Sequence, residues 1–415
     1  MIPETISPGI DPGHRERAIR LARRWIVQSE IQSTDHRPAI HGAFHAWFDP
    51  DTARFRYMYP EITGYGITTL LYLDSLRRDA QLLPRACLAG NWMLQHALDA
   101  ASGGVPPPDY YERRNRDDRF LPNRHFLMTF DSGMVLCGLA LLYERTKHSL
   151  YLEGARRVAD FLIGQAQKRN GLMYPCFEQA TQRWTDTAKK WSTQSGSYHA
   201  KVSLGLLHLY RLTRFGKYQT AAERVCRAAL RLQLPSGRFV TYRNGPGSGP
   251  NGGATHMHPH LYSAEGLLVT GLAMNRPEFV RSAVRAVRWA LGQQLPDGGL
   301  PCLVGPEHQC NVNQRSDTLA QALRLGALCY GLGELPASAM AKLARLERKL
   351  LTYQHASPVP SNEQHMAGGF YYGCDADSSR RRHINFWCTA FALQALIMYR
   401  DIVFDGRAPK LDYLI

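Results

Sequence analysis

The chain has 415 residues, 44% of them hydrophobic, and carries 50 Lys and Arg against 35 Asp and Glu, a formal net charge of +15. Length alone allows two or three domains with a sizeable core, and the composition excludes a largely disordered chain. Nine cysteines, odd in number and without a CxxC pair, read as free thiols in a reducing compartment and exclude a structural zinc site of the usual spacing.

The N-terminus, MIPETISPGIDPGHRERA, lacks the apolar core of a signal peptide, and no run reaches the length of a membrane span, so a cytoplasmic location is expected. Residues 1–13 read as a flexible lead. A helix is expected from His14 to Ser33, with Ile19, Leu21, Ala22, Trp25 and Ile26 as its apolar stripe. In the segment that follows, Tyr57, Tyr59, Glu61, Thr63 and Tyr65 crowd the approach to a helix over Ile67 to Leu76. Glu61 lies where a helix dipole favours the ionised form, as a simple cap or as a substrate contact.

A second helix from Pro84 to Leu98 ends before SGGVPPPDYYERRNRDDRFLPNRH. So long a polar insertion is often functional, and its Tyr111 and Arg114 suit sugar stacking and a carboxylate clamp. Next, FDSGMVLCGLALLYE places Asp131 at the start of a strongly apolar helix, as N-cap or as catalytic carboxylate. The third unit gathers Trp184, Asp186, Lys189, Trp191, Ser195, Tyr198, His199 and Lys201 ahead of a core helix, a density that reads as a pocket wall.

The loop NGPGSGPNGG over 244–253 is either a lid or a plain surface connection. It leads into ATHMHPHLYSAEGLLVTGL. Here Pro259 is expected to hold the chain extended, so that His256, His258 and His260 project to one side above a helix from Leu261. Tyr262 opens that helix and Glu265 lies within its apolar pattern, where an unpaired carboxylate is too costly to keep. In CNVNQRSDTLAQALRLGALCYGL, Arg315 and Asp317 stand at a helix start, and Gln321 shares a face with Asp317. The last unit places Asp375, Asp377, Arg380 to His383, Asn385 and Trp387 before the final apolar helix. Residues 405–415 read as a strap across the surface.

These units share one plan: a Gly-containing turn, an apolar helix opened by polar or aromatic residues, then an Arg- and Ala-rich amphipathic helix. The turn glycines, Gly42, Gly103, Gly171, Gly237, Gly298 and Gly368, lie 61, 68, 66, 61 and 70 residues apart by subtraction. A repeat of about 65 residues, longer than common solenoid units, is therefore expected. Six such hairpins close most economically into two concentric rings, a single all-α (α/α)6 toroid over residues 14–404. Inner-helix N-termini would then converge at one end, with dipoles that favour anionic ligands. The basic residues fall mostly on the second helices, as in RAIRLARR and RSAVRAVRW, and read as a solvated outer face. No nucleic-acid-reading motif accompanies them, so no nucleic-acid partner is expected.

The motifs YPEITGYG, FDSGMVLCGLALLYE, GSYHAKVSLGLL, HLYSAEGLL, RSDTLAQALRL and NFWCTAFALQAL resemble the (α/α)6 six-hairpin glycosidase-like superfamily over nearly the whole chain. More narrowly they resemble proteins encoded in bacterial exopolysaccharide clusters, with a looser likeness to unsaturated glucuronyl hydrolases and to the helical domain of glucuronyl C5-epimerases. The resemblance implies an enzyme of polysaccharide metabolism acting on an acidic oligo- or polysaccharide, with other polysaccharide-assembly proteins as further partners. Glycoside hydrolysis needs a protonated acid and a second carboxylate. For these the pool is Glu61, Asp131, Glu265, Asp317 and Asp375, with Glu265 paired with Asp317 or Asp131 as the leading choice. Tyr65, Trp191, Tyr198, Tyr262 and Trp387 would stack on sugar rings, and His199, His258 and Arg315 would hold hydroxyl or carboxylate groups. A lyase or C5-epimerase would instead use Tyr198, His199, Tyr262 and His260 as base and acid, with Arg315 and Asn385 neutralising a uronate. A non-catalytic glycan-binding role is the third class. No cofactor is expected, and a metal role for the three histidines is the minor alternative.

Overall fold

The computed structural model describes residues 11–108, 125–187, 190–243, 253–306, 310–356 and 363–415. Among the described residues, twelve α-helices alternate between two rings. The inner helices are α2 (Pro60–Leu76), α4 (Thr129–Thr146), α6 (Ser203–Thr213), α8 (Met257–Ala273), α10 (Ser316–Gly331) and α12 (Phe386–Tyr399). The outer ones are α1 (Pro12–Gln28), α3 (Leu82–Trp92), α5 (Ser149–Phe161), α7 (Gly216–Leu230), α9 (Pro277–Gly292) and α11 (Ala339–Leu351). Inner helices are buried almost all round, because helices surround them on every side. In α9 the arginines Arg281, Arg285 and Arg288 instead form the exposed stripe of an amphipathic helix. The positive charge thus lies largely on the outer wall. By length and composition, one helical stretch among the described residues, Phe386–Phe404, is apolar enough to cross a membrane, and it is mostly buried within the ring.

The six turn glycines explain how the ring closes. All have φ between +81° and +98°, the left-handed region that glycine enters freely. Each also lies against the next outer helix. A Cβ on Gly42, Gly103, Gly171, Gly237 or Gly298 would come within 2.5–2.8 Å of the carbonyl oxygen of Leu88, Arg157, Arg224, Arg285 or Arg345, and one on Gly368 would meet Leu21 of α1. Gly368 therefore joins the sixth hairpin to the first. A glutamine beside each of five turns tightens the contact. Gln32, Gln233, Gln294 and Gln354 each donate both to the carbonyl of the turn glycine and to a carbonyl of the following outer helix, and Gln167 donates to Ala221.

Short strands feed the inner helices at one end. The five-stranded sheet has the order β2 (Arg54–Met58), β1 (His45–Asp49), β11 (Arg380–Asn385), β10 (Phe370–Cys374) and β9 (Gln314–Arg315). Two three-stranded sheets join β3 (Phe126–Met128), β4 (Cys176–Glu178) and β5 (Arg183–Thr185), and β6 (Thr255–His256), β7 (Leu303–Val304) and β8 (Cys310–Asn311). Strands β2, β3, β6, β9 and β11 run directly into inner helices, which fixes the first-turn side chains of each. A 3-10 segment, Ser197–Val202, does the same for α6.

Several boundaries differ from expectation. Helix α2 begins at Pro60 rather than Ile67, because proline at the first helical position loses only an N–H that has no partner there. Helix α8 likewise begins at Met257, so Pro259 lies in its first turn and does not keep the chain extended. The C-terminal residues are more than a surface strap: Leu414 and Ile415 are buried, Gln394 holds the backbone of Tyr413 and Ile415, and Arg324 donates to the Ile415 carbonyl.

Candidate active site

The strand-fed ends of α2, α4, α8, α10 and α12 surround a cavity of about 500 Å³. Tyr59 and Glu61 come from the first hairpin, Phe130 and Asp131 from the second, and Trp191 from the loop before α6. His258 and Tyr262 come from α8, and Arg315 and Trp387 from the last two hairpins. Seven residues expected at the site therefore share one hollow: Glu61, Asp131, Trp191, His258, Tyr262, Arg315 and Trp387. Tyr65 lies just behind it, its hydroxyl 3.0 Å from that of Tyr262.

Asp131 is not the N-cap of α4. Met128 holds that position, and Asp131 lies inside the first turn with Oδ2 buried and without a hydrogen-bond partner. Burial, reinforced by the nearby Glu61, pushes its carboxyl well above the usual carboxylate range. Burial also raises Glu61, but hydrogen bonds from Tyr59 and Tyr65 and the charges of Lys201 and Arg315 favour its ionised form. The Tyr59 side chain hydrogen-bonds both carboxyls. Both adjacent carboxyls are thus raised, Asp131 well above its ordinary value, while tyrosine hydroxyls and nearby cations oppose the rise at Glu61.

Across the cavity, Asp317 is committed to an ion pair. Arg315 Nε lies 3.0 Å from Oδ1, and Trp387 Nε1 donates to Oδ2 at 2.9 Å. Despite complete burial, the Arg315 charge holds the Asp317 carboxyl far below its ordinary range. It is a carboxylate at any working pH and cannot serve as the acid. Its work is to orient Arg315 and Trp387, which do line the cavity.

The three histidines do not share a face, because two of them sit on a helix with roughly 100° between successive residues. His256 caps α8, accepting from His258 N, and its Nε2 lies 3.3 Å from Cys302 Sγ. His258 reaches the cavity. Its Nδ1 is 2.6 Å from Gln321 Oε1, a carbonyl-type acceptor, so Nδ1 carries the proton and Nε2 the lone pair. Burial lowers its pKa to about 3 and keeps the ring neutral. His260 points outward, taking a hydrogen bond from Phe239 N and lying 3.0 Å from the Ala286 carbonyl, and it serves packing rather than the site. Among the described residues no group of three or more His, Cys, Asp or Glu could hold a metal ion.

Other expected site residues also lie elsewhere. Glu265 is not in the cavity wall but beneath it, 2.6 Å from Lys201 Nζ and 2.9 Å from Arg324 Nε, with all three side chains almost inaccessible. Those charges hold Glu265 ionised. The helix starts one turn earlier than the sequence suggested, so position 265 lies more than two turns down the axis. Gln321 is a go-between, near Glu265 and bonded to His258. Tyr198 and His199 sit in the 3-10 segment behind Trp191. The Tyr198 hydroxyl is used by the Ser192 and Gln194 carbonyls, and burial holds His199 neutral, its pKa about 3. Asn385 is buried against His383. Tyr111, Arg114, the loop 244–252 and the first ten residues lie outside the described residues. The reading of the sequence missed Tyr59 as the link between the carboxyls, although its position one residue before Pro60 marks it as an N-cap. It also missed Phe126, Phe130 and Glu178 in the wall.

The chain therefore has an (α/α)6 toroid fold. Solved structures similar to it include cellobiose 2-epimerase from Bacillus thermoamylovorans B4167, with a TM-score of 0.72 at 11% identity over 94% of this chain and 98% of that one. D-mannose isomerase gives 0.73 at 11% identity over 96% and 100%. Unsaturated glucuronyl hydrolase from Bacillus sp. GL1, described as responsible for glycosaminoglycan degradation, gives 0.65 at 13% over 94% and 97%. Identities this low establish shared fold alone. No protein-family profile and no curated protein sequence matches the chain.

Proposed function

We propose that the protein is a carbohydrate-active enzyme of polysaccharide metabolism, and specifically a glycoside hydrolase acting on a uronic-acid-containing glycan. One observation carries this reading: two adjacent carboxyls bridged by Tyr59, both raised by burial and Asp131 well above its ordinary value, in an aromatic-lined hollow of small-molecule size. Asp131 donates its proton to the leaving glycosidic oxygen. Glu61, with Tyr59, Tyr65, Lys201 and Arg315 favouring its charged form, activates water or stabilises the positive charge that develops at the anomeric carbon. Trp191, Tyr262 and Trp387 supply ring faces for the sugar, and Arg315 and Lys190 are the cations of the wall. The structural neighbours, among them a cellobiose 2-epimerase, a D-mannose isomerase and an unsaturated glucuronyl hydrolase, support a carbohydrate substrate.

A second reading, proton abstraction beside a carbonyl or carboxylate in an epimerase, isomerase or lyase, draws on His258. It is neutral, lines the cavity, and presents Nε2 as a base with Tyr262 at 4.4 Å between ring centroids. Incubation with uronic-acid oligosaccharides, followed by mass spectrometry and ultraviolet absorption, separates the two. Products heavier by one water, lost in Asp131→Asn and Glu61→Gln, support hydrolysis. Products of unchanged summed mass, lost in His258→Gln and retained in Asp131→Asn, overturn it.

A further inference from the structure

From the cavity wall a run of partly exposed aromatic side chains extends over the five-stranded sheet. Trp387, in the cavity wall, meets Trp47 of β1 edge-on at 6.2 Å and Tyr372 of β10 at 6.4 Å. His383 of β11 stacks on Tyr372 at 5.0 Å and lies 5.3 Å from Trp47, whose other neighbour is Tyr57 of β2 at 5.0 Å. All five rings are partly exposed, and they run without a break from the cavity wall across the five-stranded sheet. The Arg381 guanidinium lies 5.7 Å from the Tyr372 ring while it pairs with Asp375.

A hydrophobic core would enclose such rings, yet these remain partly exposed to solvent across the sheet. The backbone supplies a second, independent sign. Tyr57 has φ +52° inside a strand, a conformation disfavoured for a bulky residue and retained when the surroundings hold it for a purpose. Its effect is to set the Tyr57 ring edge-on against Trp47, at the far end of the run.

We propose that this run, Trp387, Trp47, Tyr372, His383 and Tyr57, is a second saccharide-binding site. It holds the sugar units that continue from the one in the cavity, so the substrate is an oligo- or polysaccharide rather than a free monosaccharide. The inference rests on the cavity being a saccharide site. Ring faces stack on the apolar faces of pyranoses, while the Arg381 and His383 donors address hydroxyl or carboxylate groups between them.

Binding to two oligosaccharide ladders of two to six sugars, one of β-1,4-linked glucose and one of hyaluronan, tests this by calorimetry. For at least one ladder, affinity rises about tenfold between two and four sugars, the size of one good aromatic contact. Trp47→Ala removes that gain. Because it may also disturb the sheet, Tyr57→Gly is the decisive variant: glycine accepts the positive φ, so Tm stays level or rises while the length-dependent gain is lost. Affinity independent of chain length, or a gain that survives both variants, overturns the platform and leaves the cavity reading standing. Failure of every saccharide to bind, the disaccharides included, overturns the cavity reading and the platform with it.

Discussion

Replacing Glu265 by glutamine separates a structural role from a chemical one. The substitution keeps the shape but removes the only carboxylate between Lys201 and Arg324, leaving two cations in a site where the three side chains are at most 1% exposed. Breaking a buried pair from one side costs about 3–5 kcal/mol. Unfolding entropy of roughly 2.1 cal/mol/K per residue gives about 0.9 kcal/mol/K for this chain of 415 residues, so Tm falls by about 3–6 °C. Lys201 limits the loss, because burial has already lowered its pKa to about 8 and it can release its proton. Adding Lys201→Met to Glu265→Gln therefore recovers part of the loss. The pH dependence has a definite sign. Glu265 has a folded pKa below its ordinary 4.5, so its contribution is present above that value and fades as pH falls through the folded pKa. The gap between wild type and variant narrows on acidification. Differential scanning calorimetry from pH 7 down to well below 4.5 measures it. A Tm unchanged within about 1 °C, together with lost turnover, would refute a supporting role and place Glu265 in the chemistry.

Asp131→Asn and Glu61→Gln each lower turnover by about 10²–10⁴-fold, the range of general acid–base catalysis. Asp131→Asn also removes the alkaline limb of the pH–rate profile. Because the folded pKa of Asp131 is raised, wild type loses stability relative to this variant as pH rises through it, which thermal melts across pH will show. Gly103→Ala meets both φ +81° and the Arg157 carbonyl at 2.6 Å; a loss of about 1–3 kcal/mol in urea unfolding is expected, against near neutrality at Gly164, where a Cβ meets nothing within 4 Å. Asp317→Asn leaves Arg315 unpaired and Trp387 short of its acceptor, so KM rises with Tm lowered by a few degrees.

The repeat was legible because its causes are local. A left-handed turn against a neighbouring carbonyl admits only glycine, and inner and outer helices differ in how much of their circumference meets water. Spacing of Gly42 through Gly368 and the apolar or striped helices after them therefore determined the toroid, and with it the meeting of the helix starts. What the sequence could not determine was depth along the axis. Glu265 and Asp131 both read as carboxylates at the head of an apolar helix, yet a start four residues earlier carries Glu265 below the cavity to Lys201 and Arg324, while Asp131 stays in the first turn with an oxygen unpaired. The three histidines likewise separate once Pro259 lies within a helix rather than a strand. The groups that oppose the rise of Glu61, namely Tyr59, Tyr65, Lys201 and Arg315, arrive from three different hairpins, and only tertiary structure brings those together.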